Sequence, residues 1–158
     1  MNTEILQIAE QIKDSYNGNP WFGKSVKTLL NEVDQTIVFE KPNNQHSILE
    51  LLWHMILWRE FIINRLRKDY SVTLQYFEQN DWRQLDHNDK NLWKEGLKKI
   101  EETQSELIEV LQRQKDDLLL EIVPGKKYKY HQLLYGIIHH DIYHLGQIAY
   151  INKMFKQG

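Results

Sequence analysis

His139-His140-Asp141-Ile142-Tyr143-His144-Leu145-Gly146-Gln147-Ile148 lies inside a long apolar helical pattern near the end of the chain. His140 and His144 are four residues apart. On a helix they project from one side, roughly 40° apart. Leu133, Ile137, Gln147 and Ile151 share that side. The two imidazoles are therefore aimed at a core and not at water. A buried imidazole needs a partner for each ring nitrogen. One metal ion bound by both rings would meet that need.

The surrounding composition limits what else the chain can be. Its 158 residues are read as one domain, 1–158, with a hydrophobic fraction of 41% that includes five Trp, eight Tyr and five Phe. Such a chain can bury a core without covalent staples. The formal net charge is -2, which gives no strong nucleic-acid signal, because a sequence-blind binder needs a basic excess. Lys126, Lys127 and Lys129 cluster beside Pro124-Gly125 and read as a solvated loop. Cysteine is absent. Disulfides, iron–sulfur clusters, thiolate zinc sites and a Cys nucleophile are thereby excluded. The first residues lack a basic, then apolar, signal-peptide pattern. The most apolar stretch, Leu49 to Ile63, is interrupted by Glu50, His54, Arg59 and Glu60 and does not read as a membrane span. The expectation is a soluble, cytoplasmic protein.

The fold class expected is all-α. Pro20, Pro42 and Pro124 all fall between periodic segments. A first helix is predicted over Thr3 to Tyr16 with a stripe of Ile5, Ile8, Ala9 and Ile12. A short helix is predicted at about Ser25 to Val33, then a linker from Asp34 to Asn44. The second main helix should run from Ser47, where Ser47 and Glu50 have capping-box spacing, to about Arg67. Asn44 is a rival cap. Tyr70 to Asp86 reads as irregular or as one short turn. A third main helix is expected from about Asn88 to Gln114. Asp116 to Tyr128 should be a loop with a short extended piece at Leu118 to Val123. A fourth main helix covers Tyr130 to Phe155. Four amphipathic helices of this length suggest a four-helix bundle with long connections.

Seven His are present, and three can be brought together. His54 lies mid-helix among Leu51, Leu52, Met55 and Leu57, where a polar group is costly unless paired. Side-by-side packing of the second and fourth main helices would join it to His140 and His144. Three imidazoles with one open position are the usual form of a catalytic zinc or related site. The competing reading is three hydrogen-bonded core histidines with no metal. His139 points about 100° away from His140 and reads as a surface residue or a support for a ligand. His87 and His131 fall near helix starts and read as ordinary. His46 either flanks the helix start or lines the mouth of the site. His140-Asp141-Ile142-Tyr143-His144 parallels the zincin pattern H-E-x-x-H. Yet Asp is one methylene shorter than Glu, and no His or Glu follows His144 as a downstream third ligand. Asp141 reads as a surface residue or one that orients a ligand imidazole.

Trp53-His54-Met55 with its aromatic continuation, the Pro42 to Ile48 approach to that helix, and the closing His140-x-x-x-His144-x-Gly146-Gln147-Ile148 resemble the DinB-like (YfiT-like) superfamily. The resemblance spans nearly the whole chain. It implies an up-down-down-up four-helix bundle with short extra helices in the connections, frequently a homodimer. It implies a divalent transition metal, zinc or nickel foremost and iron or manganese as alternatives, held by His54, His140 and His144. Some members of the superfamily are metal-dependent hydrolases. Others are S-transferases that use a low-molecular-weight thiol.

Three neutral imidazoles leave a dication its full charge. Such a site can lower a bound water towards a pKa of about 7, or hold an external thiol as thiolate. The chain's lack of cysteine fits a thiol cosubstrate without requiring one. Glu50, one turn before His54, and Gln147, on the side of His144, are the candidate catalytic groups. Glu50 has the competing capping role, and Gln147 could equally satisfy a neighbouring helix. Trp53, Trp58, Trp82 and Tyr143 either wall an aromatic pocket or pack in the core or a dimer seam. Two function classes stand side by side: an enzyme acting on a small-molecule substrate, and a non-catalytic metal-binding or protein-interaction bundle. The substrate, the metal's identity and the general base have no signature in these residues.

Overall fold

A computed structural model describes residues 2–156 of the chain. Four long helices dominate: α1 (Thr3–Asn17), α3 (Ile48–Leu66), α5 (Leu92–Gln112) and α6 (Tyr130–Phe155). Two short ones lie between them, α2 (Val26–Glu32) and α4 (Leu74–Asn80). Tight 3-10 turns occur at Gln35–Ile37, Pro42–Asn44 and Asp116–Leu120. Among the described residues there is no sheet, only an isolated antiparallel bridge between Ile122 and Lys129. Among the described residues no helix is long and apolar enough to cross a membrane.

α3 packs against α5 and α6, and α1 packs against the same two. The four helices therefore form a square, with α1 diagonal to α3. Register fixes their directions. Arg59 of α3 meets Gln104 of α5, and Arg67 meets Glu106, so α3 and α5 run parallel. Arg65 meets Tyr130 of α6 while His54 meets His140, so α3 and α6 are antiparallel. The result is the up-down-down-up bundle.

The chain sets the helix ends locally. Ser47 accepts from the Glu50 N–H, and the Glu50 carboxylate accepts from the Ser47 N–H at 2.8 Å. This capping box, and not Asn44, starts α3. Thr73 caps α4 by accepting the Tyr76 N–H. Asp116 reaches across the fold to accept the Ile5 N–H at 2.9 Å, capping α1 from a distant part of the chain. α5 approaches α3 closely where it carries Gly96, since a Cβ there would stand 2.7 Å from Leu52 Cδ2.

Three expectations are corrected. The stretch Tyr70 to Asp86 holds a two-turn helix, α4, anchored by buried Phe77. α5 begins at Leu92, not near Asn88, because Asp86 and Asp89 accept the N–H groups of Asn88 and Asn91 and hold that segment in turns. Only the end of the Leu118 to Val123 piece is extended: Asp116–Leu120 winds as a 3-10 turn that buries Leu118 and Leu119, and Ile122 then bridges Lys129.

The interior divides into two apolar clusters. One holds Ile5, Ile8, Phe61, Ile62, Leu107 and Leu134 at the end where α6 begins. The other holds Val26, Leu49, Leu52, Ile100 and Ile148 at the end where α3 begins. Between them lie buried polar side chains, among them His54, Arg59, Gln104, Asp141 and His144. Replacing Ser47 by Ala removes one cap bond from α3. Urea denaturation should show a loss of about 1 kcal/mol, with no change in the polar layer.

Candidate metal centre

α3 and α6 meet at His54, His140 and His144, and one ring nitrogen from each lies within 4.8 Å of the others. The Nε2 atom of His140 is 2.9 Å from Nε2 of His54 and 3.1 Å from Nε2 of His144. Three nitrogens therefore converge from two antiparallel helices. His54 and His144 are buried, and His140 is half-buried.

The far nitrogens set the tautomers. His54 Nδ1 donates to the Asp81 carbonyl at 3.1 Å, and the Asp81 Oδ1 lies 2.8 Å away. The N–H direction favours the carbonyl, so the carboxylate acts mainly through its charge. His144 Nδ1 donates to Gln147 Oε1 at 2.5 Å. Both rings therefore present a bare Nε2 lone pair to the centre. His140 Nδ1 is buried and has no partner. If His140 carries its proton on Nε2, it can donate to only one neighbour, and two ring nitrogens remain unpaired. If it carries it on Nδ1, three lone pairs face one another. A cation at the point of convergence removes that conflict, so the donor set fits a metal ion.

Burial, then the neighbouring His144 and His54 and the Arg59 guanidinium, push the His140 pKa down to about 3. Burial also lowers that of His144, against a raising hydrogen bond from Gln147. Burial pushes the Asp81 carboxyl up, but the polar contact with neighbouring His54 outweighs it and holds it below its ordinary value. At neutral pH His140 and His144 are thus neutral imidazoles near an ionised carboxylate, the form that binds cations.

Asp141 corrects the expectation of a surface residue. It is 2% exposed and forms a two-pronged pair with Arg59, itself fully buried: Nη1 to Oδ1 at 3.0 Å and Nη2 to Oδ2 at 2.6 Å. Arg59 Nε also donates to Gln104 Oε1 at 3.1 Å, and its guanidinium lies over the Tyr16 ring. The carboxylate orients Arg59, not an imidazole.

Glu50 is engaged away from the cluster. Its oxygens accept from Ser47 N and Lys41 Nζ, with His46 Nδ1 at 3.7 Å. Gln147 supports His144 through Nδ1. His139, His87 and His131 are exposed. His46 stacks on Trp82, whose other face stacks on His54 with centroids 3.9 Å apart. Trp58 stands 5.8 Å from His140, while Trp53 is covered by Arg83. Tyr143 is exposed beside His144. Sequence reasoning missed Asp81. It lies 27 residues from His54 in an irregular segment, where periodicity carries no signal. Arg59 was visible only as an interruption in an apolar run.

Arg59→Met strands the Asp141 carboxylate in the core and should cost about 3–5 kcal/mol in urea denaturation, with Arg59→Met/Asp141→Leu recovering most of the loss. The depressed His140 pKa has a signed consequence. The unfolded state takes up protons from about pH 6.5 and the folded state resists to about pH 3. Metal-free protein should therefore lose stability as pH falls through that window. Urea midpoints recorded against pH should show the slope, and His140→Asn should flatten its upper part.

The family model described as the DinB superfamily matches residues 22–148, a span containing His54, His140 and His144. No curated protein and no solved structure matches the chain. The family match covers well over half of the chain, from the turn before α2 into the last third of α6, and the chain belongs to the DinB superfamily.

Proposed function

We propose that this chain is a divalent-metal-dependent enzyme acting on a small molecule, a hydrolase or a low-molecular-weight-thiol S-transferase, with His54, His140 and His144 as its metal ligands. The observation that carries the reading is the convergence of three Nε2 atoms whose outer nitrogens are fixed on two rings and unpartnered on the third. Zinc or nickel is the expected ion by the family resemblance, with iron or manganese as alternatives, since imidazole ligands alone do not choose among them. When bound, the ion supplies Lewis acidity and lowers the pKa of a water or thiol that reaches it.

The protein's own part is to position and to shield. Gln147 and Asp81 hold His144 and His54 in the tautomer that exposes Nε2. Asp81 also places negative charge behind His54, on the side away from the other two rings. His46 stands on the outer face of Trp82, apart from the three-His group, so the group is not closed by a fourth imidazole. That favours an accessible ion over one that only ties α3 to α6. Of the two candidate catalytic groups, Gln147 touches the three-His group, through His144 Nδ1, and acts there as a positioning residue. Glu50 is occupied as a cap. The non-catalytic bundle remains the second reading, supported by the absence of a free carboxylate in the three-His group.

The proposal extends to a homodimer in the cytoplasm. Tyr143, Tyr150 and Met154 are exposed and share one face of α6, the kind of apolar stripe that a second copy would cover. Elemental mass spectrometry of tag-free protein is the test. Near one equivalent of a transition metal is expected, and it should be lost in His54→Ala, His140→Ala and His144→Ala with helicity retained. Wild-type stoichiometry in His144→Ala would rule out the ligand set.

A further inference from the structure

A cavity of about 250 Å³ adjoins the histidine cluster in the crevice between α3 and α6. Ile62, Leu133 and Ile137 form its apolar wall, Trp58 closes one side, Gly136 leaves open space, and the His140 ring lines it. The other side chains that reach it, Tyr128 and Gln132, are neutral. Burial pushes the Tyr128 hydroxyl pKa up, so it stays protonated. No charged side chain lines the cavity.

The opposite approach to the cluster has a different character. There His46, Gln45 and Gln147 line a cleft of about 510 Å³ together with Tyr143 and Tyr150. The two sides of the cluster are thus unlike: a small apolar cavity touches His140, and a broader, more polar cleft touches the Gln147 that supports His144.

We infer that the cavity beside His140 binds the uncharged, mostly apolar body of a small molecule, about the size of a two-ring aromatic. Its role as the seat of the substrate rests on the metal-enzyme reading above. Size and lining carry the inference. An apolar cavity of about 150 Å³ accepts benzene, and this one is larger. An ionised group placed among Ile62, Leu133 and Ile137 would lose its hydration with no partner to replace it. Phosphates and carboxylates are therefore poor occupants, whereas an alkyl or aryl compound with one reactive polar end fits. Its body would lie against Trp58 and Ile137 and its polar end would point past His140.

Gly136 makes the inference testable without disturbing the ligands. A Cβ built there meets nothing within 4 Å, and its backbone is ordinary helix. Gly136→Leu therefore puts side chain into the cavity with no clash against the fold, and it exchanges a poor helix former for a good one. Indole is the uncharged probe and indole-3-carboxylate the charged one. Binding is read by titration calorimetry and ligand-observed NMR on the metal-loaded full chain and on chelated protein. Indole should bind the wild type, with Gly136→Leu weakening it about tenfold or more through lost space. The carboxylate should bind about tenfold or more weakly than indole, because its charge is stripped of water. Gly136→Ala should fall between, which keeps the test valid if the leucine variant folds poorly. Metal content should be unchanged in both variants. Equal indole binding in wild type and Gly136→Leu, no binding in wild type, or tighter binding of the carboxylate would each overturn the inference. Indole binding that Gly136→Leu blocks in a protein that takes up no metal would uphold the cavity and defeat the enzyme reading instead.

Discussion

The buried Arg59–Asp141 pair sets the bundle. A guanidinium with no exposure has five N–H donors and one charge to satisfy away from water. It finds Asp141 on α6, Gln104 on α5, the Met55 carbonyl on its own helix and the Tyr16 ring on α1. Gln104 in turn reaches the Ile12 carbonyl. All four long helices must therefore bring a specific residue to one level. An apolar layer of equal volume would be as stable or more so, but it would tolerate a slide by a turn. The polar layer does not, because any slide leaves a buried charge without its partner.

That constraint also aims the histidines. Asp141 directly follows His140 and lies one turn before His144. Once its carboxylate is held against Arg59, α6 can no longer rotate about its axis. The two imidazoles then face α3, where His54 stands five residues before Arg59. The pair and the cluster share both helices, so whatever fixes the register of one fixes the other. The pair also influences the cluster electrically without dominating it. Arg59 lowers the pKa of His140, while Asp141 raises that of His144. As a nearly neutral unit it leaves burial as the largest influence on both rings. The negative charge that favours a cation comes from Asp81, on the other side of His54.

Long periodic segments were legible in the sequence, and contacts across the fold were not. α1, α3 and α6 fall where apolar spacing and the Ser47 cap place them, because such signals are local. The start of α5 was misplaced since Asp86 and Asp89 prefer side-chain turns, a competition that apolar spacing does not register. α4 was missed because only Phe77 of its seven residues is buried, too little for a period to emerge. His140 and His144 could be paired from spacing alone, and His54 joined them because a lone imidazole in an apolar helix is costly. Asp141 was misjudged for a related reason. Its partner, Arg59, breaks an apolar run in the sequence, yet in the fold it is the counter-charge that lets a carboxylate stay buried. Each residue alone argued for the surface; only together do they argue for the core.

The cluster's surroundings divide its two sides. α4 ends at Asn80, and the next two residues, Asp81 and Trp82, respectively receive the His54 N–H and cover the His54 ring, with His46 stacked outside. This edge is aromatic and tightly layered, so it holds the His54 ring in place. On α6, the turn before His140 carries Gly136, and its missing side chain leaves space between Trp58 and Ile137. Rigid support thus comes from the connection between α3 and α5, and open volume from the seam between α3 and α6. A three-histidine group needs both to bind a cation firmly and still be reached. The short helix that looked like irregular chain in the sequence matters because it delivers the support, and the glycine matters because it leaves the seam open.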